Sequence, residues 1–319
     1  MKVLVLGGAR FFGSFVVDEL LARGHDVAVL CTECEEFARP VVRFGGDRPE
    51  GGALRDAVAT FRPDAVVDMA HTSPAHAESV VVECAGKVKR SVHLSSAVVY
   101  GTAPVCPVDE ESETATHAPP EVRAQIGADD LVLGAAARQG LPAVVVRLPE
   151  LYGPWDPRSA EWFFARRALD GRTRVAVPDG GLHICHRGFV QNMAWGVAQA
   201  TCLARPSGVY NLGEEKLYTL AQLARGVARA LDHTWEVYSV PGHLWTTPYA
   251  CTSFFDLRKA RAHLRYKDRM IPRDGLELTL AWLCQHPRGD DWDWPGIERP
   301  FDYAYEDALI DQHGVKLEA

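Results

Sequence analysis

No stretch of this 319-residue chain approaches the roughly 20 consecutive apolar residues that a bilayer-spanning helix requires, so no transmembrane segment is expected. A basic excess is also missing. Forty-two acidic against 34 basic residues leave a formal charge of -8, which opposes attraction to phosphate backbones and anionic lipid. Neither nucleic acid nor a membrane surface is expected as a partner. The opening Met1-Lys2-Val3-Leu4 runs directly into a strand instead of a cleavable signal, which makes a cytoplasmic location the expectation. Cysteine is sparse, with 8 in the chain, including the scattered Cys84, Cys106, Cys202, Cys251 and Cys284. That is no disulfide framework, and reduced thiols are expected. Cys31 and Cys34 form a CxxC without a second pair at zinc spacing. His183 and Cys185 would share one face of a strand and His186 the other, so no metal is expected there. Internal repeats and low-complexity segments are absent as well.

What is present is an ordinary globular composition, 47% hydrophobic and 24% charged, and a regular alternation. Strand-like runs at 2–6, 26–30, 41–44, 65–69, 91–94 and 143–147 alternate with helical patterns at 12–23, 52–60, 75–86 and 121–139. The alternation predicts an α/β fold, a Rossmann-type doubly wound parallel sheet over residues 1–150. From 151 to 285 helical patterns dominate and predict a smaller, mainly helical C-terminal substrate lobe, interleaved with the core. Residues 286–319 form a tail in which Trp292, Trp294, Phe301, Tyr303 and Tyr305 crowd together. So many rings are expected to pack on the body or a partner, since exposed they would form an adhesive patch.

The first strand runs into Gly7-Gly8-Ala9-Arg10-Phe11-Phe12-Gly13 and then a helix. In that order, backbone N–H groups and a helix N-terminus face a dinucleotide pyrophosphate, with glycines allowing the close approach. The second strand ends Val29-Leu30-Cys31-Thr32, without the carboxylate that would hold an adenosine ribose; Glu33 is the nearest acid. Arg10, or more weakly Arg39 or Arg43, could instead meet a 2'-phosphate. NAD and NADP both remain open.

Taken in order, GGARFFG, Gly46-Asp47-Arg48, DAVVDMAH from Asp64, VHLSSAVVYG from Val92, VVRLPELYGP from Val145 and HRGFVQNMA from His186 resemble the extended short-chain dehydrogenase/reductase family, the NAD-dependent epimerases and dehydratases. The resemblance covers residues 1 to about 285. It implies a cofactor across the strand ends, with Gly7, Gly8, Arg10, Phe11, Phe12 and Gly13 at the turn, Asp47 and Arg48 near the adenine, Ala70 and His71 by the pyrophosphate and ribose, and Pro149 beside it. It implies Ser96 as the catalytic hydroxyl and Arg187 as the grip on a nucleotide-sugar diphosphate, with Tyr100 and Glu150 on the substrate side.

The family's catalytic Tyr and Lys, four residues apart, are missing: no Tyr-x-x-x-Lys occurs, and the register of QIGADDLVL places Glu121 and Gln125 there. A partly buried carboxyl raised toward neutrality can exchange protons, and a neutral Gln125 would not oppose that rise. The expected second diphosphate arginine is also absent from PGHLWTTPY, residues 241–249. The expectation is therefore an NAD(P)-binding enzyme of epimerase, dehydratase or reductase type, oxidoreductase or isomerase, with non-standard acid/base chemistry. Its substrate is expected to be a nucleotide sugar or a small specialised-metabolite intermediate, and a homodimer is a candidate assembly. Two alternatives stand beside it: a catalytically silent dinucleotide-binding protein with a structural, sensory or partner-binding role, and an RNA-binding relative, because some plastid relatives with a GGxRFxG turn handle RNA.

Overall fold

A computed structural model describes residues 1–319 except 33–36, 47–51, 70–72, 102–104, 116, 204–206, 250–253, 290 and 319. In chain order the first elements are β1 (Lys2–Leu6), α1 (Phe11–Ala22), β2 (Asp26–Cys31), β3 (Val42–Gly45), α2 (Ala53–Phe61), β4 (Ala65–Asp68), α3 (Pro74–Cys84), β5 (Arg90–Ser96), α4 (Pro120–Arg138), β6 (Ala143–Leu148) and β7 (Glu150–Tyr152). There follow α5 (Trp162–Leu169), β8 (Arg174–Pro178), β9 (Ile184–Cys185), β10 (Arg187–Phe189), α6 (Val190–Cys202), β11 (Gly208–Asn211), β12 (Tyr218–Thr219) and α7 (Leu220–Ala230). The last are β13 (Glu236–Val240), α8 (Arg258–Leu264), α9 (Pro272–Gln285), α10 (Tyr303–His313) and β14 (Val315–Lys316). Among the described residues no helix is long and apolar enough to cross a membrane.

The chain divides into two compact units. The first comprises residues 1–151, 190–215 and 255–269. Its sheet has the order β11-β6-β5-β4-β1-β2-β3, and every pairing is parallel. Parallel strands covered on both faces read as continuous apolar runs, which is why VLVL, VAVL and AVVV were legible in sequence. Leu4, Leu6, Ala28 and Leu30 bury one face together with α2, α3 and α4 through Leu54, Val80, Ala128 and Val132. Helix α1 packs on α6, and α6 packs on β5. The strand order reverses between β1 and β4, leaving a crevice beyond their carboxyl ends where ligands of such sheets bind.

The second unit comprises residues 152–189, 216–254 and 270–319. Strand β13 runs parallel to β8 and antiparallel to β14; α7 and α10 pack on β13, and α5 and α9 pack on α7. The aromatic C-terminal residues belong to this unit: Trp292, Leu309 and Ile310 are buried in one cluster with Phe163, Phe164 and Trp245, and Trp294 and Phe301 pack against it. Helix α10 was not foreseen, because its period is masked by aromatic and acidic residues that find partners on α5 and β8. The short strands β7, β9, β10, β12 and β14 escaped for a different reason. Two or three residues carry no periodic signal.

Candidate functional site

Gly7 takes a left-handed φ of 84° and donates its N–H to Leu30 O at 2.8 Å, tying the turn to the end of β2. Gly8 has no room for a side chain: a Cβ there would lie 2.8 Å from Val5 Cγ1 and 3.1 Å from Val17 Cγ2. At Gly13 it would lie 2.7 Å from Gly8 Cα, so the start of α1 rests directly on the backbone of the turn. Phe12 is buried, Phe11 half-buried and Arg10 exposed. Arg10 occupies the N-cap of α1 without a side-chain capping bond, and the first turn carries no acid. The positive end of α1 is therefore not neutralised from within the helix, which is the property an anion site needs. This cradle fits a dinucleotide pyrophosphate.

Beyond β2, Arg39 is engaged with Asp18 through bonds of 2.6 and 2.8 Å, and Arg43 donates to the Arg39 carbonyl at 3.5 Å. Cys31 is disulfide-bonded, a correction to the expectation of reduced thiols throughout; Cys84, Cys106, Cys185, Cys202 and Cys284 are in no disulfide. Glu33, Asp47, Arg48, Ala70 and His71 lie outside the described residues.

Ser96 closes β5 and accepts from Val98 N at 3.3 Å, capping the short 3-10 turn Ala97–Tyr100. Tyr100 is buried, with its hydroxyl donating to Asn211 Oδ1 at 2.8 Å, its ring 4.7 Å from the Arg147 guanidinium, and its pKa raised by burial. Pro149 is buried and Glu150 half-buried at the start of β7. On α4, Gln125 is buried and its Nε2 finds no hydrogen-bond partner among the described residues. Glu121 is exposed in the first helical turn. The partial burial that the sequence reading required of this carboxyl is not provided by the protein itself.

One turn along the same face of α4 lies a charge cluster that sequence reasoning missed. Asp129 is fully buried and accepts from Ser95 Oγ at 3.0 Å and Arg147 Nε at 3.1 Å. His93 lies between Asp68, at 3.5 Å from Nδ1, and Asp129, at 3.6 Å from Nε2. Burial pulls the His93 pKa down, but the close carboxylates of Asp129 and Asp68 prevail and raise it to about 9. The signal was available: a His and an Arg within strands covered on both faces must be paired, since charge is almost never fully buried alone.

The second unit places Arg187 in its interior. Its Nη1 donates to Glu161 Oε1, and the two side chains are 3% and 0% exposed. The guanidinium stands 4.7 Å from the Tyr152 ring and 5.2 Å from that of Tyr249. Neither Glu161 nor Tyr249 was singled out from the sequence. Cys185 is buried in β9, which pairs with β12.

The model of the NAD dependent epimerase/dehydratase family matches residues 3–213. The chain is 24% identical over 245 residues to the chloroplast stem-loop binding protein of 41 kDa b from Arabidopsis thaliana, covering 72% of this chain and 63% of that protein. It thus spans less than two thirds of that relative's length. It is 28% identical over 324 residues to a dTDP-glucose 4,6-dehydratase of Streptomyces niveus, covering 88% of this chain and 92% of the relative. Among solved structures, that of the Thermus thermophilus UDP-glucose 4-epimerase complex with NAD matches with a TM-score of 0.73 at 25% identity, over 89% of this chain and 99% of that one.

Proposed function

The chain belongs to the NAD dependent epimerase/dehydratase family, and from that premise we propose that it is an NAD(P)-dependent enzyme that oxidises or reduces a carbon bearing oxygen in a sugar-like small molecule. The observation that carries this reading is the uncapped start of α1, resting on close-packed glycines at the carboxyl end of β1. Gly7, Gly8, Phe11, Phe12 and Gly13 would form the pyrophosphate cradle, with Pro149 at the end of β6. When bound, the nicotinamide supplies the hydride acceptor or donor.

The protein's own part is proton movement and orientation. Ser96, at the end of β5, holds the reacting oxygen by a hydrogen bond. Glu121 exchanges the proton once bound substrate and cofactor displace water around it. Gln125, four residues on along α4, is a neutral hydrogen-bonding group. Glu121→Gln should then lower turnover about a hundredfold, with nicotinamide absorbance as the readout on a panel of sugars and sugar nucleotides and with dinucleotide affinity unchanged. Undiminished turnover would remove Glu121 from the chemistry.

The exposure of Glu121 also favours a second reading, a dinucleotide-binding protein without redox turnover, and wild-type turnover on the same panel separates the two. For the cofactor, Arg10, exposed at the N-cap of α1, is the arginine assigned to a 2'-phosphate. Arg10→Ala should weaken NADP binding about tenfold and leave NAD binding within about twofold, as measured by calorimetric titration. Equal losses for both cofactors would exclude that role.

A further inference from the structure

The arginine assigned by resemblance to a substrate diphosphate is already neutralised inside its own unit. Besides the Glu161 carboxylate on its Nη1, the region holds a second acid. Asp156 is 4% exposed, and its carboxyl is raised first by burial and then by the nearby Glu161 charge. Arg187 therefore faces one carboxylate and a second carboxyl beside it, while the next cation, Arg288, donates its Nη2 to the Asp156 carbonyl and to Ser159 Oγ. A doubly negative diphosphate arriving here meets an arginine that is already paired. To take the Nη1 donor it must displace Glu161, which leaves a buried carboxylate uncompensated, one of the more costly outcomes in a protein interior. The segment 241–249 supplies no second arginine to offset this, and at its end stands Tyr249.

Two neighbouring atoms describe what the region can accept. Glu161 Oε2 and the Tyr249 hydroxyl are buried without hydrogen-bond partners among the described residues. Burial first, and Glu161 second, hold the Tyr249 phenol well above its usual pKa, so it stays an O–H donor. A carboxylate acceptor beside a neutral donor suits a hydroxyl or an ammonium group, not a phosphate.

We infer that Glu161 is a specificity-determining residue that neutralises Arg187 and excludes diphosphates, so that the substrate is a neutral or amine-bearing polyhydroxylated small molecule in place of a nucleoside-diphosphate sugar. This rests on the proposed enzymatic reading, with residues 152–189 and 216–254 on the substrate side.

The test is calorimetric titration of the full chain with NAD, NADP, UDP-glucose and dTDP-glucose. Wild type should bind a dinucleotide and show no saturation by either diphosphate sugar below about 1 mM. Glu161→Gln, which keeps the shape and removes the charge, should raise UDP-glucose affinity at least about tenfold. The double variant Arg187→Met with Glu161→Leu removes both charges together, a change that buried pairs tolerate, and its response to UDP-glucose should be as flat as wild type. Micromolar binding of UDP-glucose by wild type, lost in the double variant, would overturn the inference and leave the enzymatic reading intact. Absence of binding by both dinucleotides would instead sink the enzymatic reading, and the inference with it.

Discussion

Asp129→Ala should destabilise the first unit by about 3–5 kcal/mol, the usual cost of breaking a buried charge pair by removing one partner. Asp129 is fully buried and serves His93, Ser95 and Arg147 at once. Without it, His93 keeps only Asp68 of its two carboxylates, and Arg147 and Ser95 both lose the Asp129 acceptor. For a body of this size the corresponding fall in Tm is roughly 10 °C, and calorimetry on the purified chain measures it. A loss below about 1 kcal/mol would mean that water or Asp68 replaces the missing carboxylate.

The same cluster makes a pH prediction. The His93 pKa is raised from its ordinary 6.5 to about 9, so the imidazolium is favoured by the fold. The stabilisation is fully present below the unfolded value and is lost as pH rises through about 9. The shift corresponds to about 3 kcal/mol. Stability should therefore decline between about pH 6.5 and 9, and His93→Gln should flatten that decline. The groups facing His93 are Asp68 from β4 and Asp129 from α4, with Arg147 from β6 bound to the latter. Helix α4 also carries Gln125, four residues before Asp129, so the cluster fixes the face of α4 on which the candidate chemistry depends.

Glu306→Ala should have an effect of similar size in the second unit. Arg167 and Glu306 are both 0% exposed and paired at 3.1 Å. The Arg167 guanidinium lies 3.8 Å from the centroid of the Phe163 ring and also donates to the carbonyls of Phe163 and Pro300. Glu306 accepts the Ala176 backbone N–H at 2.9 Å, so one carboxylate joins α10 to α5 and β8. Its removal strands a buried guanidinium and a buried amide donor, at a cost of about 3–5 kcal/mol. Hydrogen exchange should show residues 303–316 losing protection first. Arg167→Met with Glu306→Leu should be markedly milder, because both charges leave together. If the single variant kept the protection of α10 unchanged, the C-terminal helix would be held by its apolar contacts alone.

The sequence by itself determined the parallel sheet, the helices between its strands and the glycine turn. Each of these is encoded locally, in apolar runs, helical periods and residues that only a tight turn needs. It also identified the positions Glu121, Gln125, Ser96 and Arg187 as the ones to ask about. Their electrostatic settings came only from tertiary structure. Whether Glu121 is buried, whether Arg187 offers a charge and whether His93 carries one depend on groups distant along the chain: Glu161 is 26 residues before Arg187, and Asp68 and Asp129 stand on either side of His93. Coulombic energy and desolvation act through space and leave no period in a sequence. The turn that would hold a dinucleotide is thus legible in the letters, while the pairing of the candidate substrate arginine with Glu161 exists only once the chain has folded around it.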